Sequence, residues 1–330
     1  MRLLTRSDVE RAISMRDAIE IVKRAFVELS TGSANVPLRI AVPQEKHDGV
    51  TLFMPGYLSV SESLAVKVVS VHNRNPERYL PLIHAIVVVI DPATGRPVAA
   101  MEGGYLTAIR TGAASGAATD LLARRDAEIA AIIGAGVQAR TQILAVAAVR
   151  PINRFLIYAR DREKVKTLIA EMQPQIGSSV ELVAAESPSQ AVREAQVVCA
   201  ATTSSTPVFN GEDLQPGAHV NGVGSYKPEM QEIDSVTLNR ASKIVVDSRE
   251  AALAEAGDLI VALERGEIRL EDIHGEIGEI AAGLKAGRES DDEITYFKSV
   301  GNAAQDAAVA QAIYQRALKD NLGLEIDLYK

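Results

Sequence analysis

The chain has 330 residues, enough for about two domains. Its net charge of −8, with eight Tyr, five Phe and no Trp, argues against a nucleic-acid binder built on a basic face and stacked aromatics. At 47% apolar and 24% charged residues it can bury a large core and does not read as disordered.

Cys199 is the single cysteine, so an intramolecular disulfide and a Cys-based zinc cluster are ruled out, and a reducing compartment fits. Charge arrives at Arg2, too early for a signal peptide. The longest apolar run without Gly, 143–149, is far short of a membrane span. The expectation is a soluble cytoplasmic protein without membrane or nucleic-acid partners.

Residues 7–31 predict one or two amphipathic helices, with Ala18, Ile19, Ile21, Val22, Ala25, Phe26 and Leu29 at helical spacing. Extended segments follow at 38–43, 50–55, 64–72, 82–90 and 98–102. The turn residues Asp91 to Gly95 make the last two a hairpin. Strands in a row predict a mostly antiparallel or mixed sheet. From residue 128 the pattern alternates. Strands are expected at 128–133, 154–159, 180–184, 196–201, 218–223 and 243–247. Helices are expected at 137–149, after Asp161, and from the starts Ser187 and Asp234. Short apolar strands with helices between them describe an α/β, doubly wound parallel sheet of the Rossmann type. The Ala-rich stretch 303–317 reads as a helix that returns to the first domain. The expected division is 1–118 plus 303–330 as a smaller α+β domain, with 119–302 inserted as the dinucleotide-binding domain.

The sharpest motif is Gly134-Ala135-Gly136-Val137-Gln138-Ala139, directly after an apolar strand and opening a helix. In this G-x-G-x-x-A pattern the first Gly permits a tight turn and the second lets backbone approach a pyrophosphate. Ala139 is small enough for helix–strand packing, and the helix N-terminus offers N–H groups and positive dipole. After the second strand Ala159 stands where an acid would bind a ribose 2′-hydroxyl, and Arg160 and Arg162 follow. This favours NADP(H), with NAD(H) possible; alternatively both arginines are solvated charges and Asp161 only caps the next helix. Thr202 and Thr203 after the fourth strand, and Val223 and Gly224 after the fifth, end strands where ligands sit in such sheets; plain connections are the other reading.

Lys67 is the one charge in the apolar segment 64–71. It either guards an edge strand or pairs with buried groups at a shifted pKa. Arg39 and Arg110 also lie in apolar surroundings, and three such cations could converge on a substrate carboxylate. No metal-ligand spacing and no G-x-S-x-G nucleophile turn appears, and each histidine reads as a satisfied or exposed side chain.

These segments together resemble the ornithine cyclodeaminase/mu-crystallin family, which also contains alanine dehydrogenases and cyclic imino acid reductases. The resemblance runs over nearly the whole chain. It rests on Ala65-Val66-Lys67, the hairpin 91–98, the stretch 106–114, Gly134 to Ala139, the segments 216–221 and 228–234, and Phe297 to Gly301. It implies that the first domain binds substrate and forms a homodimer. It implies that Arg39, Lys67 and Arg110 hold the carboxylate of a small 2-imino or amino acid, with Lys67 as proton donor to, or electrostatic partner of, the imine or carbonyl. Thr111, Val223, Gly224, Val300 and Gly301 would join the cofactor site, the last four near the nicotinamide. Tyr226 stands where the cyclodeaminases and the alanine dehydrogenase type of the family carry an Asp, which mu-crystallin also lacks, and Leu52 to Pro55 offer no acid for a distal amine. The resemblance therefore implies NAD(P)H-dependent hydride transfer to an imine carbon, of the pyrroline- or piperideine-2-carboxylate reductase or alanine dehydrogenase type. Ornithine cyclodeamination is the alternative.

Overall fold

In the computed structural model, which describes residues 1–328, the chain divides into two units. One comprises Met1–Arg110 and the residues from Asn302 onward; the other is Thr111–Gly301. The division falls inside a helix, so it leaves no break in composition.

The first unit contains β1 (Arg2–Leu4), α1 (Arg6–Ala12), α2 (Met15–Ser30), β2 (Ala34–Asn35), β3 (Ile40–Gln44), β4 (Gly49–Leu58), β5 (Ser63–His72), β6 (Ile83–Ile90) and β7 (Pro97–Glu102). The helix α3 (Gly103–Leu122) begins here. The C-terminal helix Ala303–Lys319 and a short strand, Leu324–Glu325, complete the unit. Its sheet runs Leu324–Glu325, β1, β7, β6, β5, β4, β2, with β3 also on β4. All pairings are antiparallel except β1 with β7. The hairpin turn forms as expected: Asp91 accepts from Ala93 N–H at 3.0 Å and Thr94 Oγ1 at 2.7 Å, and Gly95 takes φ 73°.

Alternation along β5 decides what is inside. Ala65, Lys67, Val69 and Val71 are buried, whereas Val66, Val68 and Ser70 are half-buried. The C-terminal helix packs on β4, β5, β6 and α2. Gly56 permits that approach, because a Cβ there would lie 2.9 Å from the Ala303 carbonyl oxygen. The α2 periodicity holds: Ala18, Ile19, Val22, Ala25 and Phe26 are all buried. The other sheet face carries Ile40 (62% exposed), Val42 (45%), Phe53 (38%) and Ile86 (46%).

The second unit is the doubly wound sheet. It holds β8 (Ile129–Ile133), α4 (Val137–Val149), β9 (Arg154–Tyr158), α5 (Arg162–Ile176), β10 (Glu181–Ala184), α6 (Pro188–Glu194), β11 (Val197–Ala200), β12 (His219–Gly222), β13 (Lys243–Val246), β14 (Ile273–Glu276) and β15 (Thr295–Lys298). The strand order is β10-β9-β8-β11-β12-β15-β13-β14, all parallel. Alternate residues feed two cores. Ala131, Ile133, Val198 and Ala200 enter one, while Ala130, Ile132, Val197 and Cys199 enter the other. Burial on both faces explains the continuous apolar runs.

Candidate active site

Lys67 sits at the centre of its sheet. β5 lies between β4 and β6, so the edge-guard reading of this lysine does not hold. Register pairs Lys67 with Met54 on β4 and with Val87 on β6. Arg39 immediately precedes β3, whose first residue Ile40 pairs with Phe53, and its charge acts on both Lys67 and Asp306. Arg110 arrives from α3.

What joins them is a residue that the sequence did not single out. Asp306 on the C-terminal helix places Oδ2 2.7 Å from Lys67 Nζ and Oδ1 3.0 Å from Arg110 Nε. Arg110 Nη1 donates to Gln305 Oε1 at 2.8 Å. Lys67, Arg110 and Asp306 are 2%, 5% and 1% exposed, so the ion pairs act in a poorly hydrated interior. Burial pushes the Lys67 ammonium down, Asp306 raises it and Arg110 lowers it again, leaving a pKa of about 7. Burial alone would raise the Asp306 carboxyl, but Lys67, Arg110 and Arg39 outweigh it and hold it below the ordinary range. Two buried cations, Lys67 and Arg110, share the one Asp306 carboxylate, and Arg39 also acts on it, a positive setting that suits an anion. The Gln305 Nε2 and Asn302 Nδ2 donors are also buried, without a hydrogen-bond partner among the described residues.

In the second unit the expected cofactor residues fall at the carboxyl ends of neighbouring strands. Gly134 takes φ +123°, and a Cβ there would lie 2.4 Å from the Ala201 carbonyl oxygen. Gly136 is the N-cap of α4 and has no side-chain cap. A Cβ on Gly136 would meet nothing within 4 Å, so the space above the helix N-terminus is open. Uncapped N–H groups, an open approach and the buried Ala139 fit a dinucleotide pyrophosphate. Val137 and Gln138 open the same helix. Thr202 and Thr203 follow β11, Val223 and Gly224 follow β12, and Val300 and Gly301 follow β15. Asp247 Oδ2 takes the N–H groups of Val300 at 3.1 Å and Gly301 at 2.8 Å. Thr111 is buried in α3.

The two arginines after β9 differ. Arg162 donates to the carbonyls of Ala185 and Glu186 and lies 5.3 Å over the Tyr158 ring. Asp161 caps α5 through the N–H groups of Glu163 and Lys164, as the alternative reading held. Arg160 is exposed and makes no ion pair or hydrogen bond to the described residues. Among the histidines, His219 is a buried structural side chain bonded to Thr295 at 2.9 Å and Asn221 at 3.2 Å. Burial depresses its pKa to about 3. The Cys199 thiol is buried and pushed up to about 12, so it is unreactive. Among the described residues no cluster of His, Cys, Asp and Glu is arranged to hold a metal ion, and no helix is long and apolar enough to cross a membrane.

The model for the ornithine cyclodeaminase/mu-crystallin family matches residues 1–321. A Delta(1)-pyrroline-2-carboxylate reductase of Bacillus cereus is 41% identical over 327 residues, 99% of this chain and all of the relative. The Thermococcus litoralis Delta(1)-pyrroline-2-carboxylate reductase, solved with NADH and L-proline, is 46% identical, with TM-score 0.94 over 99% of this chain and 100% of that one. An archaeal alanine dehydrogenase dimer with bound NAD is 36% identical, with TM-score 0.92 over 100% of this chain and 99% of that one. The chain belongs to the ornithine cyclodeaminase/mu-crystallin family.

Proposed function

We propose that the chain is an NAD(P)H-dependent oxidoreductase that reduces the C=N bond of a small 2-imino acid, with a cyclic imine of the pyrroline-2-carboxylate kind as the leading substrate. The observation that carries this reading is the buried Lys67–Asp306–Arg110 cluster in a chain that also holds a G-x-G-x-x-A turn. The cofactor supplies the hydride. Arg39 and Arg110 hold the substrate carboxylate, for which a guanidinium fork is the natural partner. Lys67, with a pKa near neutrality, gives a proton to the imine nitrogen as the carbon accepts the hydride. Asp306 keeps enough of Lys67 protonated to do so. Gly134, Gly136, Val137, Gln138 and Ala139 carry the pyrophosphate, and Thr111, Thr202, Thr203, Val223, Gly224, Val300 and Gly301 surround the rest of the dinucleotide.

NADP(H) is the preferred cofactor, because Ala159 leaves no carboxylate to oppose a 2′-phosphate and Arg160 has its guanidinium unengaged. Arg162 supports that turn through Ala185 and Glu186. The enzyme works as a homodimer that covers the apolar sheet face of Ile40, Val42, Phe53 and Ile86. A single cysteine, and so no intramolecular disulfide, supports a cytoplasmic setting.

The test is reduced-nicotinamide absorbance with the purified chain, NADPH or NADH, and a panel of pyrroline-2-carboxylate, piperideine-2-carboxylate and pyruvate with ammonia. Imine-dependent loss of absorbance is expected. Ammonia release from ornithine with no net absorbance change, and no activity on the panel, would replace this reading by the cyclodeaminase.

A further inference from the structure

Glu232 is fully buried and makes three hydrogen bonds to two separate loops. Its Oε1 accepts from the Thr202 N–H at 2.5 Å, in the loop after β11. Its Oε2 accepts from Gly224 at 2.6 Å and Ser225 at 3.0 Å, in the loop after β12. The loops touch here. A Cβ on Gly224 would lie 2.1 Å from the Thr202 carbonyl oxygen and 2.6 Å from Glu232 Oε1. Glu232 is itself anchored, because its N–H donates to Asp258 Oδ1 at 2.6 Å and Asp258 Oδ2 takes Lys298 Nζ at 2.6 Å. Lys298 ends β15, the strand that leads into Val300 and Gly301. Glu232 makes no hydrogen bond to the Gly134–Ala139 turn.

We propose that Glu232 is a positioning residue for the nicotinamide half of the cofactor site, whose carboxyl group ties the loop after β11 to the loop after β12 and so fixes the seat of the ring. This rests on the reading that the second unit takes a nicotinamide dinucleotide. Carboxyl chemistry is required because two acceptor oxygens must serve donors on both loops. A Gln has one such oxygen and turns an N–H₂ group toward N–H donors on the other side. An Asp keeps both oxygens on a side chain one carbon shorter, and cannot span the loops. Either change leaves buried N–H groups unpaired and lets the loops part.

The test compares two kinds of probe on the full chain and on Glu232→Gln and Glu232→Asp. ADP-ribose and its 2′-phosphate need only the Gly134–Ala139 turn and the residues after β9, whereas NADH and NADPH also need the two tied loops. Calorimetric titration is expected to show the reduced dinucleotides weakened at least tenfold in both variants. The ribose probes should stay within twofold of wild type. Equal weakening of both probes would show that Glu232 merely holds the fold, and no weakening of either would show that it does not set the loops; each result overturns the proposal. If neither probe binds the wild type, the cofactor reading falls first, and this inference with it. Should both variants fail to fold, hydrogen exchange on the unliganded wild type decides. Slow exchange at Thr202, Gly224 and Ser225 is expected, and fast exchange there overturns the proposal.

Discussion

Replacing Asp306 by Asn removes the anion beside Lys67 while keeping size and one acceptor oxygen. Asp306 is what holds the Lys67 ammonium up against burial and against Arg110. At their 2.7 Å separation and an effective dielectric of about 20, the lost attraction is about 6 kcal/mol. The Asn oxygen, local relaxation and entering water offset much of it. If about a third survives, the ammonium loses roughly 2 kcal/mol, or about 1.5 pH units. If Lys67 is the proton donor proposed above, it must be protonated to serve the imine, and kcat/KM for reduction is expected to fall as pH rises through about 7 in the wild type. In Asp306→Asn that limb moves to lower pH. The activity at pH 7 then falls roughly 15-fold and returns largely on acidification. The assay is kcat/KM against pH for both proteins with one imine, so that titration of the substrate itself cancels in the comparison. An unmoved limb, or one shifted to higher pH, would refute the assignment of Lys67 as proton donor.

Three further outcomes are expected. Lys67→Met should cut turnover by at least a hundredfold with little change in NADPH affinity. It should also flatten the pH dependence of stability, because the unfolded chain binds the Lys67 proton between about pH 7 and 10 and the folded chain does not, so wild-type stability rises with pH across that window. Urea unfolding of both proteins at the two ends of the window measures this. Ala159→Asp should swing the NADPH-to-NADH ratio of kcat/KM by at least tenfold toward NADH, since a carboxylate accepts from a ribose hydroxyl and repels a 2′-phosphate; steady-state kinetics with both cofactors report it. Ile86→Asp places a charge on the exposed sheet face; light scattering is expected to give a dimer for the wild type, as proposed, and a monomer for the variant.

Much of this was legible because charge and periodicity are local signals. Lys67 stood out as the only charge in an alternating apolar run, and the fold placed it in the middle of the sheet rather than at its edge. The Gly134–Ala139 turn was legible for the same reason, through short spacing between strand and helix. Asp306 was not, because it meets Arg110 across 196 residues of sequence from an Ala-rich helix with no sign of a buried charge. The helix α3 was hidden by its Ala and Gly content, which leaves no polar face to give a period. The strand β15 ends in Lys298, which looks like a surface charge but is fully buried against Asp258. Glu232 and Asp258 carry no local signal that singles them out, and only the fold brings Glu232 to the loops after β11 and β12 and Asp258 to Glu232. Arg160 and Arg162 were indistinguishable by sequence; backbone carbonyls engage one and leave the other free.

Hydride delivery to an imine carbon is the step on which the proposed reaction turns. The most direct measurement supplies dihydronicotinamide cofactor deuterated at C4, in each of its two stereochemical forms, with pyrroline-2-carboxylate, and locates the label in the product by NMR. Deuterium at C2 of the proline formed, from one of the two forms, is the expected result. Proline without deuterium at C2 from either form would contradict it.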